Sequence, residues 1–229
     1  MKLKTVKTAF VSTLPVMAGY VVLGTGFGIL FQSKGYGLIW SAAMSIFVYA
    51  GSMQYLAVDL IAGSASLITA AFTALMVNAR HLFYGVSMID KYKNTGKFKP
   101  YLIFALTDET YSLNCGNLPA GIEDAPLYYF LVSVFNQCYW VLGSVLGSVI
   151  GSVLPFSSEG IDFSLTALFV TVFVEQWKST KDHLPAVIGV AASVLCLILF
   201  GMDNFLIPTM VLITLALTAI RKKEEETHD

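Results

Sequence analysis

The chain has 229 residues, 56% of them hydrophobic and 13% charged, with a net charge of −1. Soluble domains carry about 25% charged residues, so this composition excludes an ordinary soluble domain. A near-neutral chain also lacks the basic field that nucleic acid requires. Cys115, Cys138 and Cys196 lie far apart in apolar sequence, without Cys-x-x-Cys or Cys/His spacing, and read as small packing residues. No metal and no cofactor is expected.

A membrane-spanning helix needs about 20 mostly apolar residues. The first candidate, 8–31, follows Lys2, Lys4 and Lys7 as a signal peptide would. It is longer than the roughly 7–15 residues of a signal h-region, so a retained helix is expected. Gly24 and Gly28 within it make a Gly-x-x-x-Gly pair, a pattern that lets another helix approach closely. The second candidate, 38–61, carries Phe47-Val-Tyr-Ala-Gly-Ser-Met-Gln54 and then Asp59. Gly51 and Gln54 share a face and offer an amide beside exposed backbone, either for a substrate or for a helix-to-helix hydrogen bond.

The third candidate, 67–88, holds Asn78, Arg80, His81 and Tyr84. A guanidinium near mid-bilayer costs at least about 2.5–3.5 kcal/mol on insertion scales. Arg80 therefore needs an acidic partner, a watery cavity or a substrate carboxylate, unless it snorkels to headgroups near Lys91. His81 titrates near neutral pH when unperturbed. The loop 90–100, with Lys91, Lys93, Lys97 and Lys99, should be cytoplasmic by the positive-inside rule, and so should the opening lysines. Three complete spans between them would put these two basic groups on opposite sides. Gly51 and Gly63 mark places where a re-entrant or broken segment would remove the conflict.

Residues 101–115 are interrupted by Asp108 and Glu109. Neighbours on a helix point about 100° apart, so one acid is free to pair with Arg80 while the other faces elsewhere and loads a proton. The rival reading is a solvated helix end. Residues 127–154 contain Gly143, Gly147 and Gly151 at intervals of four, a helix-packing stripe. A turn at 155–160, a helix over 161–177 ending in Trp177-Lys178, and helices over 184–201 and 205–220 complete the chain. The whole reads as an all-α polytopic membrane protein of about seven transmembrane helices, six to eight, with glycine-rich packing. Residues 1–220 form one membrane domain and 221–229 a solvated tail. The similar spacing of Phe47…Gln54 and Phe169…Gln176 suggests an internal repeat with broken helices.

The order of these features resembles the azaleucine-resistance protein C (AzlC) family of bacterial branched-chain amino-acid exporters. The resemblance rests on the glycine-rich first helix through Gly28, on Phe47–Gln54, on Asn78-Ala-Arg-His81 with Tyr84-Gly85, and on Ala105-Leu-Thr-Asp-Glu-Thr110. It implies the large subunit of a two-component secondary transporter in the bacterial plasma (inner) membrane, exporting leucine, isoleucine and valine, with methionine or analogues as further candidates. It also implies a small hydrophobic AzlD-like partner. Tyr49 and Ser52 stand where the family motif often reads Phe and Ala. The substrate or proton path is expected at Gly51, Gln54, Asn78, Arg80, His81, Asp108 and Glu109, and helix packing at Gly24, Gly28, Gly143, Gly147 and Gly151. A channel or assembly subunit without its own substrate site is the alternative. An enzyme is not expected, because neither Gly-x-Ser-x-Gly in a suitable context nor His-Glu-x-x-His occurs.

Overall fold

A computed structural model describes residues 2–153, 163, 166, 167, 170, 173, 174, 177, 178, 180 and 182–228. The expected turn at 155–160, most of the expected helix 161–177 and the Phe169…Gln176 half of the suggested repeat lie outside them. Among the described residues every regular element is helical. These are α1 (Lys2–Ser33), α2 (Leu38–Phe47), α3 (Gly51–Ala62), α4 (Leu67–Asn78), α5 (Arg80–Tyr92), a 3-10 turn (Gly96–Phe98), α6 (Lys99–Phe104), α7 (Asp108–Cys115), α8 (Ala125–Val153), α9 (Leu184–Asn204) and α10 (Leu206–His228). The chain divides into two compact units, Met1–Ala167 and Leu168–Asp229.

The first unit is built on α1 and α8, which run parallel. Gly24 lies against Gly143, and Gly28 against Gly147 and Ser148. Earlier along both helices, Thr13 bonds Tyr139 at 3.1 Å and Phe10 packs on Phe135. A Cβ on Gly24 would sit 2.9 Å from the Trp140 carbonyl oxygen, and one on Gly143 2.8 Å from that of Val21. Only hydrogen fits there. The backbones then meet directly, and lipid-embedded helices associate through such close van der Waals packing because they lack a hydrophobic drive. Ser148 donates to the Gly28 carbonyl across the crossing at 3.3 Å.

The expected single helix over 38–61 is two helices, α2 and α3. Tyr49 breaks them with φ +45°, a left-handed conformation that costs a non-glycine residue about 1–2 kcal/mol. Its N–H closes α2 on the Met44 carbonyl, and the freed Ile46 carbonyl accepts from Gln137 of α8 at 3.0 Å. The expected helix over 67–88 is likewise interrupted at Ala79, which keeps right-handed helical angles, so α4 and α5 make one kinked rod. The expected stretch 101–115 is α6 and α7, separated at Ala105–Thr107.

Contacts fix the path of these pieces. The unit's starting end is where α1 and α8 begin, and Lys4 of α1 reaches Gly121 there. Phe98, just before α6, stacks on Phe130 near the start of α8, and Lys91 at the end of α5 bonds the carbonyls at the end of α7. The loops around Lys91–Lys99 therefore lie at the same end as the opening lysines. The kinked α4–α5 rod runs back to that end, reaching Ser52 of α3 through Arg80 at its middle. The hairpin α2–α3 enters from the far end and turns at Tyr49, level with Trp140. The hairpin α6–α7 enters from the starting end and turns at Thr107, level with Tyr20 of α1 and, through Thr110, Asn136 of α8. Helices of 12 residues or fewer are at most about 18 Å long, short of the roughly 30 Å hydrocarbon core. Two helical hairpins and one kinked rod thus stand where the sequence suggests helices over 38–61 and 67–88 and an interrupted stretch over 101–115. Both basic segments then share one end, as the charge distribution demands.

The second unit pairs α9 with α10, Gly189 packing on Ile213. Gly201, φ +72°, kinks α9 near its end, where the sequence reads a clean span over Leu184–Gly201. Trp177 stacks on His183 at 4.0 Å between centroids.

Candidate functional site

The tips of the two hairpins and the kink of the α4–α5 rod meet beside the middle of the α1–α8 pair. Each brings the start of a helix. Ser52 lies in the first turn of α3, Arg80 begins α5 and Asp108 begins α7. Arg80 joins all three: Nη1 pairs with Asp108 Oδ2 at 2.9 Å, and Nη2 donates to Ser52 Oγ at 2.9 Å. Arg80 is 32% and Asp108 27% exposed, so the pair is partly screened. Helix starts carry the positive end of the backbone dipole, which favours an acid at the first position of α7 and disfavours a guanidinium at the first position of α5. Asp108 compensates for the second effect, and Arg80 is turned into α3 and α7 rather than along α5 toward Lys91.

Lys91 has a separate role. Its Nζ donates to the carbonyls of Asn114 at 3.1 Å, Gly116 at 2.5 Å and Cys115. It closes the C-terminal end of α7, where unpaired carbonyls and the negative dipole end attract a cation. The helices α5 and α7 are therefore joined at both their starts and their ends.

Glu109 faces away from Arg80 into a hydroxyl cluster. Tyr20 of α1 donates to Glu109 Oε2 at 2.5 Å, and its hydroxyl contacts Thr107 Oγ1 at 2.8 Å. Thr107 donates to Thr110 at 3.1 Å, and Asn136 of α8 donates to Thr110 at 3.0 Å. Thr107 also caps α7 by accepting from the Thr110 N–H.

Gln54 and Gly51 serve α8. Gln54 is fully buried, donates to Ser45 at 3.1 Å and accepts from the Trp140 indole at 2.9 Å. Gly51 lets that indole approach, since a Cβ would sit 3.0 Å from Trp140 Cη2. Asn78 donates to the Ala74 carbonyl at 2.9 Å, and His81 Nδ1 lies 3.2 Å from the Asn78 carbonyl with its ring edge-on to Tyr84.

A cavity of about 630 Å³ lies between the Val48–Ala50 break and the α4–α5 rod. Asn78, His81 and Tyr49 line it together with apolar side chains such as Met53, Leu82 and Phe104. Gly51, Gln54, Arg80, Asp108 and Glu109 do not line it. Among the described residues, seven buried polar side-chain atoms lack a hydrogen-bond partner. Four of them belong to this region: Tyr49 Oη, Asn78 Oδ1, Arg80 Nε and Asp108 Oδ1. Two of these donate and two accept. Burying such atoms without partners costs about 1–3 kcal/mol each, so their concentration here makes this region the candidate for binding a polar group. Among the described residues no cluster of His, Cys, Asp and Glu is placed to hold a metal ion.

Residues 15–154, which include both hairpin tips and Arg80, match the family described as AzlC protein. The chain belongs to the AzlC family. It is 45% identical over 223 residues to the branched-chain amino acid transport protein AzlC of Bacillus subtilis (strain 168), covering 97% of this chain and 87% of that one. It is 41% identical over 224 residues to an uncharacterized membrane protein of Helicobacter pylori (strain ATCC 700392 / 26695), covering 97% and 98%. It is 27% identical over 209 residues to the inner membrane protein YgaZ of Escherichia coli (strain K12), covering 87% and 82%. No solved structure matches the chain. This AzlC-family chain is a multi-pass plasma-membrane protein in a family of transport proteins. Its long apolar helices Lys2–Ser33, Ala125–Val153 and Leu184–Gly201 are each able to cross a membrane.

Sequence reasoning did not single out Tyr20, Trp140 or Lys91. A lone tyrosine in an apolar helix carries no spacing signal, and a lysine in a basic loop reads as solvated charge. Tyr49 and Ser52, noted only as departures from a motif, both lie at the hairpin tip.

Proposed function

We propose that this chain exports branched-chain amino acids, namely leucine, isoleucine and valine, with methionine or analogues as further candidates, across the plasma membrane. In this reading it is the large subunit of a two-component secondary transporter, works with a small hydrophobic AzlD-like subunit and draws on the proton gradient. The basic end of the first unit is cytoplasmic.

The observation that carries the reading is the meeting of the α3 and α7 starts at the Arg80–Asp108 pair. Broken helices in transporters direct their half-helix N-termini at anionic groups of the substrate. Here a guanidinium adds a full positive charge, and Asp108 supplies a counterpart for an ammonium group. The atoms left without partners, Arg80 Nε and Tyr49 Oη among the donors and Asp108 Oδ1 and Asn78 Oδ1 among the acceptors, suit the carboxylate and ammonium of a zwitterion. The mostly apolar cavity alongside suits a branched side chain. The printed name of the Bacillus subtilis relative supports the same substrate class.

The test is efflux of radiolabelled leucine from preloaded cells expressing the chain, with and without the small subunit. Arg80→Gln and Asp108→Asn should each reduce efflux at least tenfold at normal membrane levels. Unchanged efflux in both variants would remove these residues from the path. The reading as a channel or assembly subunit draws on the glycine crossing of α1 and α8. It requires Gly147→Leu to abolish function while the two charge variants do little.

A further inference from the structure

Asp108 and Glu109 are adjacent in the chain, yet their surroundings differ in kind. Asp108 accepts from a guanidinium, a group that only donates. Glu109 meets the Tyr20 hydroxyl, and every partner beyond it, Thr107 and then Thr110, is also a hydroxyl. A hydroxyl both donates and accepts. The chain ends at the Asn136 amide, which presents nitrogen to Thr110 while its oxygen has no partner.

The hydrogens of this chain can be counted in both charge states of Glu109. With Glu109 charged, Tyr20 donates to Glu109 and the Asn136 amide to Thr110, as in the structure; Thr107, which donates to Thr110 there, turns its hydrogen to Tyr20, and Thr110 turns its own to Thr107. With Glu109 protonated, Glu109 donates to Tyr20, Tyr20 to Thr107, Thr107 to Thr110 and Thr110 to Asn136 Oδ1, once the amide turns over. All four contacts survive in both states. One proton is added at Glu109, the hydroxyl hydrogens reverse together, and no other atom gains or loses one. Protonating Asp108 instead would forfeit its charge-assisted bond to Arg80, a loss that the Tyr84 hydroxyl beside it does not replace.

We propose that Glu109 carries the coupling proton of this transporter, and that Tyr20, Thr107, Thr110 and Asn136 form a reversible hydrogen-bond chain serving both of its charge states. This rests on the transport reading above and divides the two acids: Asp108 belongs with Arg80 and the substrate, Glu109 with the proton. The titratable groups around Glu109 are Tyr20 from α1, Tyr49 from the α2–α3 turn, Tyr84 from α5 and Asp108 beside it on α7. From α8 the contact into the chain is Asn136, which does not titrate. Arg80 is engaged with Asp108 and Ser52.

Everted membrane vesicles from cells expressing the full chain and the small subunit test this. Two quantities are read: accumulation of labelled leucine under an acid-inside gradient, and leucine exchange at equal concentrations without a gradient. Glu109→Gln, fixed in the neutral form, should keep exchange and lose accumulation above the outside concentration. Tyr20→Phe should keep exchange, slow accumulation and move its pH profile. The proposal is overturned if Glu109→Gln still accumulates leucine under the gradient. It is also overturned if that variant loses exchange at normal membrane levels, or if Asp108→Asn exchanges without accumulating. Wild-type vesicles that exchange no leucine would sink the transport reading instead, so the two failures are distinguishable.

Discussion

Replacing Gly147 by alanine tests the α1–α8 crossing with one carbon atom. The added Cβ would lie 2.8 Å from the Cα and carbonyl carbon of Thr25 and closer still to its oxygen. Carbon atoms rest about 3.5–4.0 Å apart at their energy minimum, so the helices must separate by roughly 0.7 Å or more. The three nearest obstacles are all backbone atoms of Thr25, and no rotamer change relieves them. Overpacking of this kind costs about 1–3 kcal/mol, and separation also loosens the neighbouring contacts at Gly24, Gly28 and Gly143. Gly19 on α1 is the internal control. It has nothing within 4 Å of a Cβ, so alanine there gains helix propensity worth about 0.5–1 kcal/mol. The two single-carbon substitutions should therefore move stability in opposite directions. Thermal unfolding of the detergent-solubilised protein, followed by size-exclusion of the remaining soluble fraction, measures this. If Gly147→Ala melts with or above Gly19→Ala, the close backbone contact does not hold these helices together.

Two further substitutions address what surrounds the site. Gln54→Leu leaves the buried Trp140 indole N–H without its acceptor, at a cost of about 1–3 kcal/mol; it should lower the melting temperature and shift tryptophan emission, and unchanged values for both would count against the Gln54–Trp140 bond. Lys91→Met removes the donor to the last carbonyls of α7 while keeping an apolar stem; hydrogen exchange should rise at the end of α7, and equal protection in the two proteins would show that Lys91 does not hold it.

The helical membrane class and the glycine stripes are legible because they depend on composition and on spacing along one helix. The breaks are less so. Neither Tyr49 nor Ala79 is a glycine or proline, and the strain at Tyr49 is held by contacts from α8, such as Gln137 on the Ile46 carbonyl. Reading 38–61 as one helix follows from its apolarity, and only the conflict between two basic segments pointed to a broken path. The cost of a buried guanidinium demands a counter-charge for Arg80, but the sequence leaves Asp108 and Glu109 equivalent. What separates them is which side of α7 faces α5 and which faces α1, a tertiary fact. Gln54 is a case where the sequence left two readings open, a substrate contact or a helix-to-helix hydrogen bond. An amide beside a glycine serves either, and here both of its polar ends are engaged, by Ser45 and Trp140.

The two fastenings of α7 to α5 differ in what can undo them. At the Lys91 end an ammonium holds neutral carbonyls, and an amino acid offers little that competes for both sides of that bond. At the Arg80 end two opposite charges hold each other, and a zwitterion carries a rival for each. In the transport cycle proposed above, a ligand arriving there would unlatch one end of α7 and leave the other as a pivot. Swinging about that pivot would draw Glu109 away from Tyr20, so release of the latch and opening of the hydroxyl chain become one mechanical event.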